Sequence, residues 1–373
     1  MKIGINATIL DDRPSGLGIF SINIIKELIE IIDNESDEII IYTSAGEQFV
    51  NKNVEVRNIS KFIQPRNGKL GGILRFLWNQ FVFPIKTKKD NIDVVYVTTH
   101  HGSFFINSPQ VITIHDLLPI IFPKQHKLQY YYFKYIVPKL LKKTKFLVTV
   151  SNNTLKDIVK NYGYKKDNIE VVYNSFDKNH FTPQKSSKFK DKIGNYFLFL
   201  GASYPHKNLE NAILSFINIK QKYPDIKLVI AGGKREYRDF VINKLDRRGS
   251  DLTGIEIIDY VKYDDLPCLY SNAIALLYPT FYEGFGIPPL EAMASGCPVI
   301  VSNTSSLPEV CNNAAYYINP GSVSDISSAL EEFILNKELR AGLIEKGFEN
   351  IKRFSWKKSS QNLYYCLKKV LKE

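Results

Sequence analysis

Two carboxylates, Glu283 and Glu291, flank a glycine-bearing loop in the stretch YPTFYEGFGIPPLEAMASGCPVIVSNTSSLPEV, residues 278–310. An apolar run over 273–278 stops at Pro279, and Pro288 opens a stretch of helix formers over 290–294, so the segment reads as strand, loop and helix. Gly296 stands where a helix C-terminal cap belongs, before the apolar run 298–302, and this completes one βαβ step. Glu283 thus falls in the loop at a strand's C-terminal end, where open α/β sheets bind ligands, and Glu291 in the first turn of the helix. Gly284 and Gly286, on either side of Phe285, let the backbone approach a ligand, and the N–H groups of the helix start suit a diphosphate or a partly charged ring. A solvated loop glutamate followed by a first-turn glutamate favoured by the helix dipole is the blander use of the same residues.

Other residues with usable chemistry sit at similar places. His115-Asp116 follows an apolar run at 111–114; a histidine there can donate to a hydroxyl or to developing charge, and the carboxylate can orient it. An HD pair alone serves more often as structure, the aspartate capping the next turn. Lys207 lies at a helix start after the run 196–200, where a cation opposes the macrodipole unless an anion is bound. Lys234, in Gly232-Gly233-Lys234-Arg235, follows the run 227–231 and offers a further phosphate contact. Near the N-terminus Ser15-Gly16-Leu17-Gly18 is by itself a weak phosphate-binding signal, since surface turns use such glycines routinely.

The elements that must position these groups alternate along the chain. Strands are expected at 2–10, 38–43, 53–58, 94–98, 111–115 and 146–150, with a helix from about 18 to 31, a Rossmann-like opening. A second series runs through strands at 196–200, 227–231, 255–261, 273–278, 298–302 and 315–318, then helices at 323–335, 337–350 and a last one to 371. Between the two series, residues 178–194 are polar and without periodicity, which marks an interdomain linker. A chain of 373 residues is too long for one comfortable core, and two domains are expected.

Composition excludes several classes. Hydrophobic content of 44% and charged content of 23% are ordinary for a globular protein. No window approaches 18 uncharged apolar residues, and the start, MKIGINATILDD, meets acids too early for a signal peptide. Cys268, Cys297, Cys311 and Cys366 share no CxxC spacing, so reduced thiols in a cytoplasmic setting are expected and a structural zinc site is not. Asp11-Asp12 and Asp264-Asp265 read as turn residues and no metal site is expected. The net charge of +11 is uneven: residues 61–89 and 124–145 together hold +14 with no acid, leaving −3 elsewhere. Both segments interleave aromatics, among them Phe62, Trp78, Phe81, Tyr131 and Tyr135, which fits an anionic membrane surface; no nucleic-acid motif accompanies the charge. Amphipathic helices with solvated lysines explain the pattern equally well.

Residues 283–302 resemble, nearly letter for letter, the EGFGxPxxEAMAxGxPVxxS signature of the retaining glycosyltransferases of family 4, also called glycosyltransferase group 1. The resemblance covers the whole chain, densely from 196 to 356. It implies an α/β chain of GT-B architecture, two Rossmann-like domains facing a cleft. The N-terminal acceptor-side domain is expected over 1–180 with a returning helix 355–373, the linker over 181–195 and the donor domain over 196–354. It further implies transfer of a sugar from a nucleotide sugar. Glu283 would support charge on the sugar ring, with His115 and, less directly, Asp116 across the site. Glu291 would bind ribose hydroxyls, and Lys207, Gly16, Gly18, Gly284, Phe285 and Gly286 would line the donor. An arginine that many members place after the glycine is Ala202 here, and His206 stands where others have arginine before the lysine, which leaves Lys234 to supply that charge. Helix N–H groups and Lys207 would serve the departing diphosphate in place of a metal, so no cofactor is expected.

Within the family the motifs are similar to those of bacterial surface-polysaccharide mannosyltransferases. This implies GDP-mannose as donor and a saccharide acceptor on a lipid diphosphate, as in O-antigen assembly at the cytoplasmic face of the inner membrane. A UDP-sugar-dependent transferase, a GT-B epimerase or a non-catalytic nucleotide-sugar-binding protein are the alternatives. Retention of Lys207, Glu283 and Glu291 weighs against the last.

Overall fold

The computed structural model describes residues 1–11, 16–33, 37–49 and 54–372. The chain divides into two compact units, one of Met1–Asn174 with Ser355–Glu373, the other Ser175–Phe354.

The first unit is built on seven parallel strands: β1 (Lys2–Asn6), β2 (Glu38–Thr43), β3 (Val54–Asn58), β4 (Val94–Val97), β5 (Gln110–Ile114), β6 (Phe146–Thr149) and β7 (Ile169–Val171). Their order, β3-β2-β1-β4-β5-β6-β7, reverses direction beside β1, as in a doubly wound sheet. β1, β4, β5 and β6 are almost wholly buried, the near-continuous apolar reading of strands covered on both faces. β1 stops at Asn6, short of the expected 10, because the Asn6 carboxamide turns the chain. Its Oδ1 accepts from the Thr8 amide at 3.2 Å and the Thr8 hydroxyl at 2.8 Å. β7 escaped the sequence pattern because it is three residues long and centred on Glu170. The expected strand 53–58 is present from Val54; Asn53 lies outside the described residues, as does Asp12.

The last helix, Trp356–Lys372, packs on this unit through Leu363, Leu367 and Val370 at helical spacing. Ser360 Oγ donates to the Ile24 carbonyl at 3.0 Å, the Tyr364 hydroxyl donates to Asp37 at 2.6 Å, and Trp356 meets Phe20 edge-on at 5.9 Å.

Each basic segment folds as a helix broken by a π turn: Trp78–Val82 between Gly68–Leu77 and Phe83–Lys89, and Tyr132–Ile136 between Lys127–Tyr131 and Val137–Leu141. A proline, Pro84 or Pro138, follows each turn. It lacks an N–H and collides with the carbonyl four residues back, and the wider turn absorbs both defects.

The second unit carries six parallel strands: β8 (Tyr196–Ala202), β9 (Lys227–Gly233), β10 (Ile255–Ile258), β11 (Ala275–Tyr278), β12 (Val299–Ser302) and β13 (Tyr316–Ile318). The order β10-β9-β8-β11-β12-β13 puts its reversal between β8 and β11. Phe197, Phe199, Phe216 and Phe333 fill the core around this sheet.

One expectation needs correction. Residues 181–195 are not a free linker, and the unit boundary falls after Asn174 rather than at 180 and 195. The polar run hides two apolar anchors, Phe181 and Phe189, both buried. Its residues Lys188–Ile193 form a helix whose Phe189 and Lys190 amides both donate to Asn272 Oδ1 at 3.1 Å.

Candidate active site

The loops that leave β8 and β11, the two strands flanking the reversal of the second sheet, carry Lys207 and Glu283. β8 runs into the turn Pro205–Lys207, and Asn208 at φ +65° opens the helix Leu209–Lys220. Asparagine tolerates this left-handed conformation. The Asn208 side-chain amide donates to the carbonyls of Pro279, at 2.9 Å, and Pro320, at 2.7 Å, so it ties the two loops together. Lys207 Nζ then reaches Glu283 Oε1 at 2.8 Å and the Tyr278 hydroxyl at 3.1 Å. Burial alone would lower the lysine's pKa; the Glu283 carboxylate and the Tyr278 oxygen outweigh it and hold the ammonium above its ordinary range.

Serines fix the loop that presents Glu283. The Glu283 amide donates to Ser305 Oγ at 3.1 Å, and the Ser306 hydroxyl lies between the carbonyls of Glu283, at 3.0 Å, and Phe285, at 2.7 Å. Gly286 opens the helix Ile287–Ala294 at φ +100°, and a Cβ there would come within 2.8 Å of Leu307. Of the amides of residues 286–289 at this helix start, Pro288 and Pro289 supply none, which leaves those of Gly286 and Ile287. Gly296 closes the helix at φ +73° in a Schellman arrangement, its amide donating to Met293 O at 3.1 Å and that of Cys297 to Ala292 O at 2.9 Å.

Glu291 accepts from the Tyr270 hydroxyl at 2.9 Å. Burial pushes its carboxyl from the ordinary 4.5 up to about 7, against the lowering effect of that bond. The group therefore exchanges its proton near neutrality, and a ligand offering two hydroxyls to it favours the ionised form.

The remaining expected residues fall in different settings. Phe285 is buried, its ring edge-on to Phe354 at 5.6 Å, so its side chain is spent on packing. Lys234 is exposed, with Nζ 2.5 Å from the Tyr204 hydroxyl and 4.2 Å from that ring's centre, and Tyr204 stacks on the buried His206 at 5.7 Å. Gly284 is half-buried between Glu283 and Phe285. Gly16 and Gly18 form the first turn of Gly16–Ile32, and residues 12–15 of the expected glycine loop lie outside the described residues.

In the first unit His115 directly follows β5, buried, with Phe20 edge-on at 4.7 Å. Burial brings its pKa down to about 4, so the ring is neutral, and Nε2 donates its one N–H to the Thr98 carbonyl at 2.9 Å. Nδ1 is left as an acceptor rather than the donor the sequence suggested. Asp116 Oδ1 accepts from the Leu118 amide at 3.0 Å, the turn-capping use of an aspartate.

Sequence reasoning missed Tyr278, Tyr270, Asn208, Ser305 and Ser306. Each stands within or beside a motif it did single out, yet a hydroxyl or amide that positions another side chain leaves no spacing signal.

The two families whose models match are described as Glycosyltransferase Family 4, over residues 15–180, and Glycosyl transferases group 1, over 181–350. The chain is 32% identical over 334 residues, 88% of its length and 89% of the relative's, to O-antigen chain mannosyltransferase RfbU of Salmonella typhimurium. It is 28% identical over 367 residues, 92% and 93% of the two lengths, to O-antigen chain mannosyltransferase B of Escherichia coli. Among solved structures, Anabaena HepE in complex with UDP and glucose superposes with a TM-score of 0.74 at 19% identity, covering 99% of both chains. Sucrose-phosphate synthase of Thermosynechococcus elongatus gives 0.78 at 14%, covering 99% and 98%. The chain belongs to the group 1 glycosyltransferases of family 4, and its fold is GT-B, two Rossmann-like domains. It is a glycosyltransferase.

Proposed function

We propose that the protein is a retaining mannosyltransferase that moves mannose from GDP-mannose to a growing O-antigen-type saccharide carried on a lipid diphosphate. The observation that carries the reading is the Lys207–Glu283 pair at the reversal of the second sheet, where doubly wound folds take nucleotide ligands. Lys207 grips the donor diphosphate and shields its charge as it leaves. Glu283, anchored by Ser305, faces the sugar and supports positive charge on the ring. Glu291 accepts the ribose hydroxyls. Mannose and the acceptor class come from the two O-antigen mannosyltransferases to which the chain is similar. The reaction needs no metal, since Lys207 and the amides of Gly286 and Ile287 serve the diphosphate. Thermal unfolding tests the base: GDP should protect the protein and UDP should not, a ligand at a hundred times its dissociation constant adding ~2.7 kcal/mol. Protection by UDP alone would reassign the donor to a UDP-sugar.

The same reading places the enzyme on the inner face of the cell membrane. No helix among the described residues is long and apolar enough to cross a membrane. The two basic segments instead leave large apolar side chains in water, Phe62 at 76% exposure, Leu70 at 65%, Ile85 at 69% and Leu128 at 65%, and the exposed Phe81 and Phe105 stack at 5.8 Å. Surface of this kind beside the cations of the two segments, all but the buried Arg75, suits the interface of an anionic bilayer. Flotation with anionic vesicles should succeed at low salt and fail at 1 M, where the Debye length shrinks to ~3 Å. It should also fail when Lys139, Lys142, Lys143 and Lys145 are all changed to Ser. A wild type that stays unbound at low salt points to a soluble acceptor.

A further inference from the structure

The helix Gly68–Leu77 turns Leu70 and Ile73 outward and Arg75 inward, where the guanidinium residue is only 8% exposed. Its Nη1 donates to the Ile63 carbonyl at 3.1 Å, and its Nε has no partner. One turn further on, Asn79 is 1% exposed; its Oδ1 accepts from Asn6 at 2.8 Å and its Nδ2 has no partner. Two buried donors on one face of one helical segment are therefore unspent. Among the described residues no carboxylate forms an ion pair with Arg75; Asp11, also buried, acts on its charge only from beyond ion-pair distance.

What does stand near Arg75 is a set of rings. His100 and His101 lie 4.1 Å apart centre to centre, and Tyr132 lies 5.6 Å from the first and 6.1 Å from the second. The Tyr132 hydroxyl donates to the His100 carbonyl at 3.3 Å, and His101 Nδ1 is 2.8 Å from Thr99 Oγ1. Burial lowers both histidines, and the charge of Arg75 lowers them further, His100 to about 3. Both are neutral, each with one N–H.

A guanidinium held out of water without a counter-ion is among the costlier arrangements in a fold, and so is a buried amide donor without an acceptor. Both costs vanish together when an anion with several acceptor oxygens enters. A carboxylate offers two oxygens, whereas a phosphate or diphosphate can meet the Arg75 fork, the Asn79 amide and an imidazole N–H at once. His100 and His101 follow β4, and Asn79 is bonded to Asn6 at the end of β1, so the group gathers at the C-terminal edge of the first sheet, in the other unit from Lys207 and Glu283.

We propose that Arg75 and Asn79, with His100 and His101, form a binding site for a phosphate or diphosphate group distinct from the donor site. Under the function proposed above, on which this assignment of the occupant rests, the group is the diphosphate of the acceptor. Leu70 and Ile73 on the outer face of the same helix then meet the bilayer that carries it.

The test uses the full chain saturated with GDP, so that the donor site is filled, and inorganic pyrophosphate followed by calorimetry. The wild type should bind it; Arg75→Met should weaken binding roughly ten- to hundredfold, Arg75→Lys less, and Asn79→Asp should weaken it by adding negative charge. GDP binding measured beforehand should be the same in all four. A second arm compares neutral phosphatidylcholine vesicles with and without a polyprenyl diphosphate. Preference for the doped vesicles that Arg75→Met abolishes assigns the site to a lipid-borne group, and pyrophosphate binding without that preference assigns it to a free anion. The site is overturned if the wild type binds neither probe, or if Arg75→Met binds as the wild type does. Should Arg75→Met not fold, Arg75→Lys and Asn79→Asp decide, and binding at wild-type strength in both overturns it. GDP binding and mannose transfer are read on the same preparations. Pyrophosphate binding without transfer keeps the site and rejects the functional reading, and transfer without pyrophosphate or vesicle binding does the reverse.

Discussion

Glu283→Gln should reduce mannose transfer by about a hundredfold, the effect of losing roughly 3 kcal/mol of charge stabilisation on the sugar ring in the transition state. The amide keeps the shape, and the anchoring bond from the Glu283 backbone to Ser305 is untouched, so the loop should stay in place. The structure adds a consequence for binding. Glu283 Oε1 holds Lys207 Nζ at 2.8 Å, and a neutral amide releases that ammonium toward an incoming diphosphate. Affinity for GDP should therefore hold or rise while turnover falls, a split seen by calorimetry and initial rates on one preparation. Turnover like that of the wild type would remove Glu283 from the reaction.

Lys207→Ala should act on both quantities. A charge-assisted contact to phosphate contributes ~1.5 to 3 kcal/mol, so GDP should bind roughly ten- to a hundredfold more weakly while guanosine binds almost unchanged. Stability should fall as well, because the change leaves the buried Glu283 carboxylate without its cation and takes a bond from the buried Tyr278 hydroxyl. Glu283→Gln combined with Lys207→Ala should recover part of that stability without recovering transfer. Equal loss of affinity for GDP and guanosine would separate Lys207 from the diphosphate.

The sequence carried the alternation of strands and helices and the order of the site motifs because those features are periodic or local. Short apolar runs located β2, β4, β5, β6 and all six strands of the second unit to within a few residues. Glu283, Glu291 and Gly296 stand out through a gapless motif. The coupling of Lys207 to Glu283, 76 positions apart, could not be read from spacing, since it depends on β8 and β11 being neighbours at the sheet's reversal. The linker expected over 181–195 failed for a different reason: average polarity outweighed two phenylalanines, and a short helix needs no more than that to dock. His115 was legible as a residue but not as a tautomer. Which nitrogen carries the proton is set by the Thr98 carbonyl, contributed by the chain leaving another strand. Arg75 counted only as one of fourteen positive charges, and nothing in the local sequence marks it as the one that turns inward.

The proposed roles converge on one reaction, and one measurement tests it. Purified protein is given GDP-mannose, a polyprenyl-diphosphate-linked saccharide and a chelator, and the product is examined for the configuration at the new anomeric carbon. The mechanism requires mannose transferred with the α configuration of the donor kept, at a rate that chelation does not change. A β-linked product, transfer only from a UDP-sugar, or a rate that collapses with the chelator would contradict it.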